Sequence, residues 1–167
     1  MGELYGEEKS KEKSAKGSVV FVSDFVHISG DLEVLVQKLV YDHAAWLAPI
    51  AAETASAQNR EAKIKVGSNA LIAKSVDVTL AEPRMRPNMV VIPMTWSPTG
   101  ASKLFPSLDA DLELSSLSDG ICRLAITGRY KIPFGVIGEV ANTAFMHRIA
   151  EDTIRRFLTQ ISEKLAA

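Results

Sequence analysis

The last quarter of the chain constrains the fold most. Residues Ile121–Tyr130 (ICRLAITGRY) are strand-like, a Pro/Gly loop Lys131–Gly138 follows, and a helical pattern runs from about Glu139 to Leu165. On that helix Val136, Val140, Thr143, His147, Ala150, Ile154, Phe157, Ile161 and Leu165 recur at steps of four and three, which places them on one stripe. A strand run leading into one long terminal helix predicts a sheet wrapped on a helix. Thr143 and His147 are polar where packing alone asks for apolar groups.

The two halves of this helix differ. In the second half Ile154, Phe157, Leu158, Ile161 and Leu165 face inward, and Arg155, Arg156, Thr159 and Glu163 face water. In the first half Ala141, Phe145 and Ile149 add a second apolar strip on roughly the opposite side, so that stretch is covered on more than one side. Covering loops, a ligand against one side, or a homodimer contact on the other would each account for it.

Upstream, Val19–Ile28 (VVFVSDFVHI) is rich in β-branched and aromatic residues and predicts the first strand. Its alternation assigns neither side to the interior. Gly30-Asp31 opens a helix whose apolar stripe is Leu32, Leu35, Val36, Leu39, Val40, His43, Trp46 and Leu47, with Pro49 after its end. A short helical or irregular segment, Ala51–Asn59, comes next. Strands are then expected at Ala62–Val66, Ile72–Leu80, Met89–Trp96, Leu108–Leu114 and Ile121–Tyr130. A two-proline turn, Glu82–Pro87, and a Ser118-Asp-Gly120 hairpin lie between them. Alternation with one polar face, and no helix between strands, predicts antiparallel pairing. The fold class is α+β, with helices on one face of a curved sheet.

Length and charge narrow the functions. At 167 residues the chain fits one domain, expected over 18–167, after a charged tail at 1–17 that has little to bury. The net charge of −1 argues against nonspecific nucleic-acid binding. The apolar runs are too short to span a bilayer, and no signal-peptide pattern precedes Val19, so a cytoplasmic protein is expected. Cys122, the single cysteine, excludes an intrachain disulfide and groups with core positions.

Four stretches resemble the START/SRPBCC helix-grip superfamily, which includes polyketide-cyclase-like and lipid-transfer proteins. They are Ala62-Lys-Ile-Lys-Val-Gly67, Ile92-Pro-Met-Thr-Trp96, Leu104-Phe-Pro-Ser-Leu-Asp109, and Gly128-Arg-Tyr-Lys-Ile-Pro-Phe-Gly135 leading into the last helix. The resemblance covers about Val19–Leu165 and rests on packing and turn features. It implies a six- or seven-stranded curved antiparallel sheet gripping the C-terminal helix, with one or two short helices after the first strand. It also implies a hydrophobic cavity between sheet and helix, where members bind lipids, polyketides or similar molecules and some catalyse cyclisation or hydrolysis. The superfamily has no universal catalytic residue to carry over.

Candidate ligand-binding residues follow from the stripe and the walls: Val140, Thr143 and His147 on the helix, Trp96, Met94 and Phe105 from the sheet side, Trp46 from the first helix, and Asp24 if its strand face is inward. His147 could hydrogen-bond a ligand oxygen or act as a general base, against the plainer role of a core histidine bonded to a carbonyl. His43 reads as a structural histidine. His27, His43 and His147 share no metal-binding spacing, and no metal or cofactor is expected. Arg129 alternates onto the polar face. Gly135 and Gly138 lack the rest of a phosphate loop, and no serine sits in a nucleophile elbow. The expected function is binding or transport of a small hydrophobic ligand. The alternative is a cyclase- or hydrolase-like enzyme with His147 as base, assisted by Thr143 or Asp24.

Overall fold

In a computed structural model the described residues are 18–43, 46–54, 75–99, 107–132 and 143–167. Strand β1 (Ser18–Ser29) leads into helix α1 (Leu32–Val36), which Asp31 caps by accepting the Glu33 and Val34 amides. The sequence stripe predicts one helix as far as Leu47. Instead α1 passes into a π-helical turn, Gln37–Tyr41, and helix α2 spans 47–54. Pro49 therefore lies in the first turn of α2 rather than after a helix end, where its missing amide costs no helical bond.

The remaining strands are β2 (Ser75–Leu80), β3 (Arg84–Arg86), β4 (Met89–Thr99), β5 (Ser107–Ser118) and β6 (Ile121–Ile132), followed by α3 (Thr143–Ala166). They form one antiparallel sheet in the order β1-β6-β5-β4-β2, with β3 also on β4. The proline-rich turn predicted at Glu82–Pro87 is thus partly a strand. Only Pro87 and Asn88 turn, and Arg84–Arg86 pair back onto Met89–Val91. Pro93 sits inside β4 without loss, because its backbone faces the break between β2 and β3. There its carbonyl accepts the Ala81 amide at 2.7 Å. The β5–β6 turn is the predicted one, with Gly120 at φ 70°, a conformation that other residues rarely adopt.

Register settles the faces. Val22, Gly128, Ala110 and Met94 form one row across β1, β6, β5 and β4, and Asp24, Ile126, Leu112 and Ile92 form the next. These rows face α3. At Gly128 the strands approach so closely that a Cβ would lie 2.5 Å from the Ala110 Cβ and the Asp109 carbonyl oxygen, which makes this the point where the sheet can bend.

Helix α3 lies across this inner face. Ile154, Phe157, Leu158, Ile161 and Leu165 are buried, and Arg155, Arg156, Thr159 and Glu163 are exposed, as the periodicity predicts. The contacts that hold this half include Phe157 against Trp96, the Thr54 hydroxyl to Gln160 Oε1 at 2.9 Å, and Lys38 Nζ to the Leu165 carbonyl at 3.0 Å. The last supplies a donor to a carbonyl that no further helical turn can satisfy. The expected strand Ala62–Val66, the tail at 1–17, the loop at 133–138 and the helix start at 139–142 lie outside the described residues.

Candidate functional site

The inner face of the sheet is the apolar surface against which a ligand would sit. Met94 and Trp96 point inward from β4 and are buried. Trp96 meets Phe157 edge-on, with ring centroids 5.4 Å apart and planes at 73°. Next to them on β2, Val78 and Leu80 are only partly buried, as are Val26, Ala110 and Trp46 around the same core. The apolar floor thus extends past the part that α3 fully covers.

The first described turns of α3 carry the polar groups. His147 is expected on the inward stripe, yet its side chain is 45% exposed. Its Nε2 lies 3.0 Å from Glu151 Oε1, one turn further along, and this i,i+4 geometry draws the imidazole toward the solvent side. Thr143 opens α3, but its side chain, like those of Phe145 and Ile149, lies outside the described residues, as do Val140, Ala141 and Phe105 entirely.

Asp24 answers the question the sequence leaves open. It belongs to the inward set Val20, Val22, Asp24, Val26 and Ile28, and only 16% of its side chain is exposed. An acid in that position needs a partner. Arg155 Nη2 supplies it, 3.2 Å from Oδ1 and 3.1 Å from Oδ2, and the Phe25 amide donates to Oδ1 at 2.9 Å. Arg155 faces water as its spacing predicts, at 69% exposure, and its role as the partner of Asp24 does not show in that spacing. The signal was there in outline: an acid inside the first strand requires a cation from whatever packs on it.

The Asp24–Arg155 pair stands at a cleft of about 290 Å³ along the seam between β1 and α3. Val22 and Ile154 give it apolar walls, while Asp24, Glu151, Asp152 and Arg155 make it mainly polar. It is a charged mouth beside the helix rather than an apolar chamber. Among the described residues no hydrogen bond joins His147 to Asp24.

The other candidates are placed simply. His43 Nδ1 pairs with the Val40 carbonyl at 2.8 Å, as expected of a structural histidine. His27 is exposed on the outer sheet face, its ring 5.4 Å from that of Phe25. Arg129 lies over the outer-facing Phe21 ring at 5.5 Å. Among the described residues no group of three or more His, Cys, Asp or Glu side chains could hold a metal ion, and no helix is long and apolar enough to cross a membrane. Cys122 is buried, with its thiol 3.6 Å from the Gly30 carbonyl. Burial pushes its pKa up, and the nearby Asp31 charge adds to the rise.

No protein-family model matches the chain, and no curated protein matches it. Among solved structures, it is similar to a conserved protein from Geobacillus kaustophilus with a TM-score of 0.54, at 13% identity over 88% of this chain and 95% of that one. Two looser likenesses are to the Zhui aromatase/cyclase from Streptomyces sp. R1128 and to the lipid transfer and protein localization domain of human StarD13. The first has a TM-score of 0.43 at 9% identity, over 89% of this chain and 94% of that one. The second has 0.44 at 8%, over 87% and 76%. At such identities the likeness is one of architecture. With its antiparallel sheet, short helices after β1 and long terminal helix, the chain has a helix-grip fold.

Proposed function

We propose that this protein binds a small hydrophobic molecule, a lipid, polyketide or similar compound, between the inner face of its sheet and the first half of α3. One observation carries the reading: the inner face stays apolar beyond the part that α3 fully covers, with Val78 and Leu80 half-buried beside Met94 and Trp96. A surface used for packing alone would be closed over at little cost, whereas an adaptable Met and aromatic wall suits a ligand of variable shape. The stripe residues Val140 and Thr143, together with Phe105 and Trp46, complete the proposed lining, with His147 at its solvent side.

The alternative, a cyclase- or hydrolase-like enzyme, needs His147 free to take a substrate proton. Its Nε2 is engaged by Glu151 and Asp24 is engaged by Arg155, so such chemistry would have to use the Nδ1 of His147. The test is titration with a fluorescent apolar probe, read by energy transfer from tryptophan. Wild type should bind saturably. Leu80→Arg should weaken binding while leaving the circular dichroism unchanged, and equal binding by both would remove the proposed location.

A further inference from the structure

Among the described residues strand β1 is an edge, and its backbone is arranged for a partner. The two-residue turn pairs Ser118 with Ile121, so the even-numbered residues of β6 turn their backbone groups toward β1. Through the register Ile28–Cys122, Val26–Leu124, Asp24–Ile126, the even residues of β1 face β6. The amides and carbonyls of Val19, Phe21, Ser23, Phe25 and His27 therefore point away from the sheet, and among the described residues no strand pairs with them. The Phe25 amide fits this assignment, since it donates to Asp24 Oδ1.

Native edges are blunted by lysine, proline or short length. Strand β1 has none of these: it runs from Ser18 to Ser29 without Lys, Arg or Pro, whereas the opposite edge, β2, has six residues. Its outer face shows Val19, Phe21 and Phe25 at 50%, 68% and 53% exposure. Among the described residues the inward-pointing Asp24 is a protective device, since it occupies the Phe25 amide and is itself held by Arg155.

We infer that β1 is a pairing edge for a second copy of this chain, and that Asp24, held by Arg155, keeps it closed. Charge selects the register. Antiparallel pairing about Ser23 overlaps the two strands from Ser18 to Ile28 and sets Phe21 against Phe25 of the second copy. Asp24 then lies across from Val22. The register one step further sets Asp24 against Asp24, and like charges directly opposite are destabilising. In the Ser23-centred pair each Phe25 amide must donate to the other copy, so the Asp24 carboxylate competes directly with dimerisation. Arg155 answers the charge of Asp24 within its own chain, and salt should favour pairing by screening Glu151 and Asp152, which line the same cleft as Ser23.

The test is sedimentation equilibrium of the full chain over a wide concentration range, with three variants. Ser23→Pro removes an amide that points only outward, so it spares the β1–β6 ladder. Asp24→Ala frees the Phe25 amide and should tighten the dimer about tenfold, the scale of one hydrogen bond per copy. Adding Ser23→Pro to it should return the chain to monomer. Because Asp24→Ala leaves Arg155 without its carboxylate and can loosen the seam, the wild-type pair carries the test alone. Wild type should dimerise weakly at high concentration and Ser23→Pro should not. A folded Asp24→Ala no more associated than wild type would overturn the gating, and equal behaviour of wild type and Ser23→Pro would overturn the edge.

Discussion

Trp96 on β4 and Phe157 on α3 meet edge to face in the buried core, an aromatic contact between the sheet and the terminal helix. It fixes the depth at which the second half of α3 sits and so marks where the packed core ends. Truncation of Phe157 to Ala should cost about 3–5 kcal/mol, the range for a large buried aromatic. Urea unfolding would read it as a lower midpoint at an unchanged slope.

Gly128 should tolerate no side chain. A Cβ there would lie 2.5 Å from Ala110 Cβ and from the Asp109 carbonyl, and the second of these is backbone and cannot swing away. Gly128→Ala is expected to destabilise by about 1–3 kcal/mol or more. Adding Ala110→Gly should recover only part of the loss, because it relieves one of the three clashes and leaves those with the Asp109 carbonyl and the Cα at position 110. Thermal melts of the single and double variants check this.

The Asp24–Arg155 pair should contribute little to monomer stability. Arg155 is 69% exposed, so water and salt screen the attraction. Arg155→Ala is expected to cost under about 1 kcal/mol, and less still in 1 M salt. A much larger loss would mean that the seam depends on this pair.

Cys122 gives a pH dependence with a defined sign. Its pKa is raised in the folded chain, so the folded state holds the thiol proton more tightly than the unfolded state does. Its contribution is complete at neutral pH and is lost as pH climbs from the unfolded value through the folded one. Stability of the wild type should therefore fall more steeply at alkaline pH than that of Cys122→Ala, read from urea midpoints across that range. The native thiol should also react slowly with disulfide reagents, because the thiolate is the nucleophile.

Much of this architecture can be read in the sequence because it follows from period. The steps of four and three through Ile154, Phe157, Ile161 and Leu165 name the buried stripe, and strict alternation in β4, β5 and β6 names the inner face. Period fails where a choice depends on another element. β1 alternates between two nearly apolar faces, so only its register with β6 shows that Asp24 points inward. The π-turn at Gln37–Tyr41 leaves the apolar stripe intact while shifting the phase of the helix, so a count of apolar positions passes straight over it. His147 follows the stripe in spacing yet turns to Glu151, because a polar ring at half-exposure gains more from a carboxylate than from the core. Gly128 carries no pattern at all, and its role is visible only when Ala110 is laid beside it.

Native mass spectrometry of the gently purified full chain tests the central claim most directly. The binding account predicts a population carrying a small non-covalent mass that organic solvent extracts as an apolar compound, and that Leu80→Arg greatly reduces. A chain that emerges at its bare mass, and still takes up no apolar compound when lipids and aromatic polyketides are offered, would contradict it.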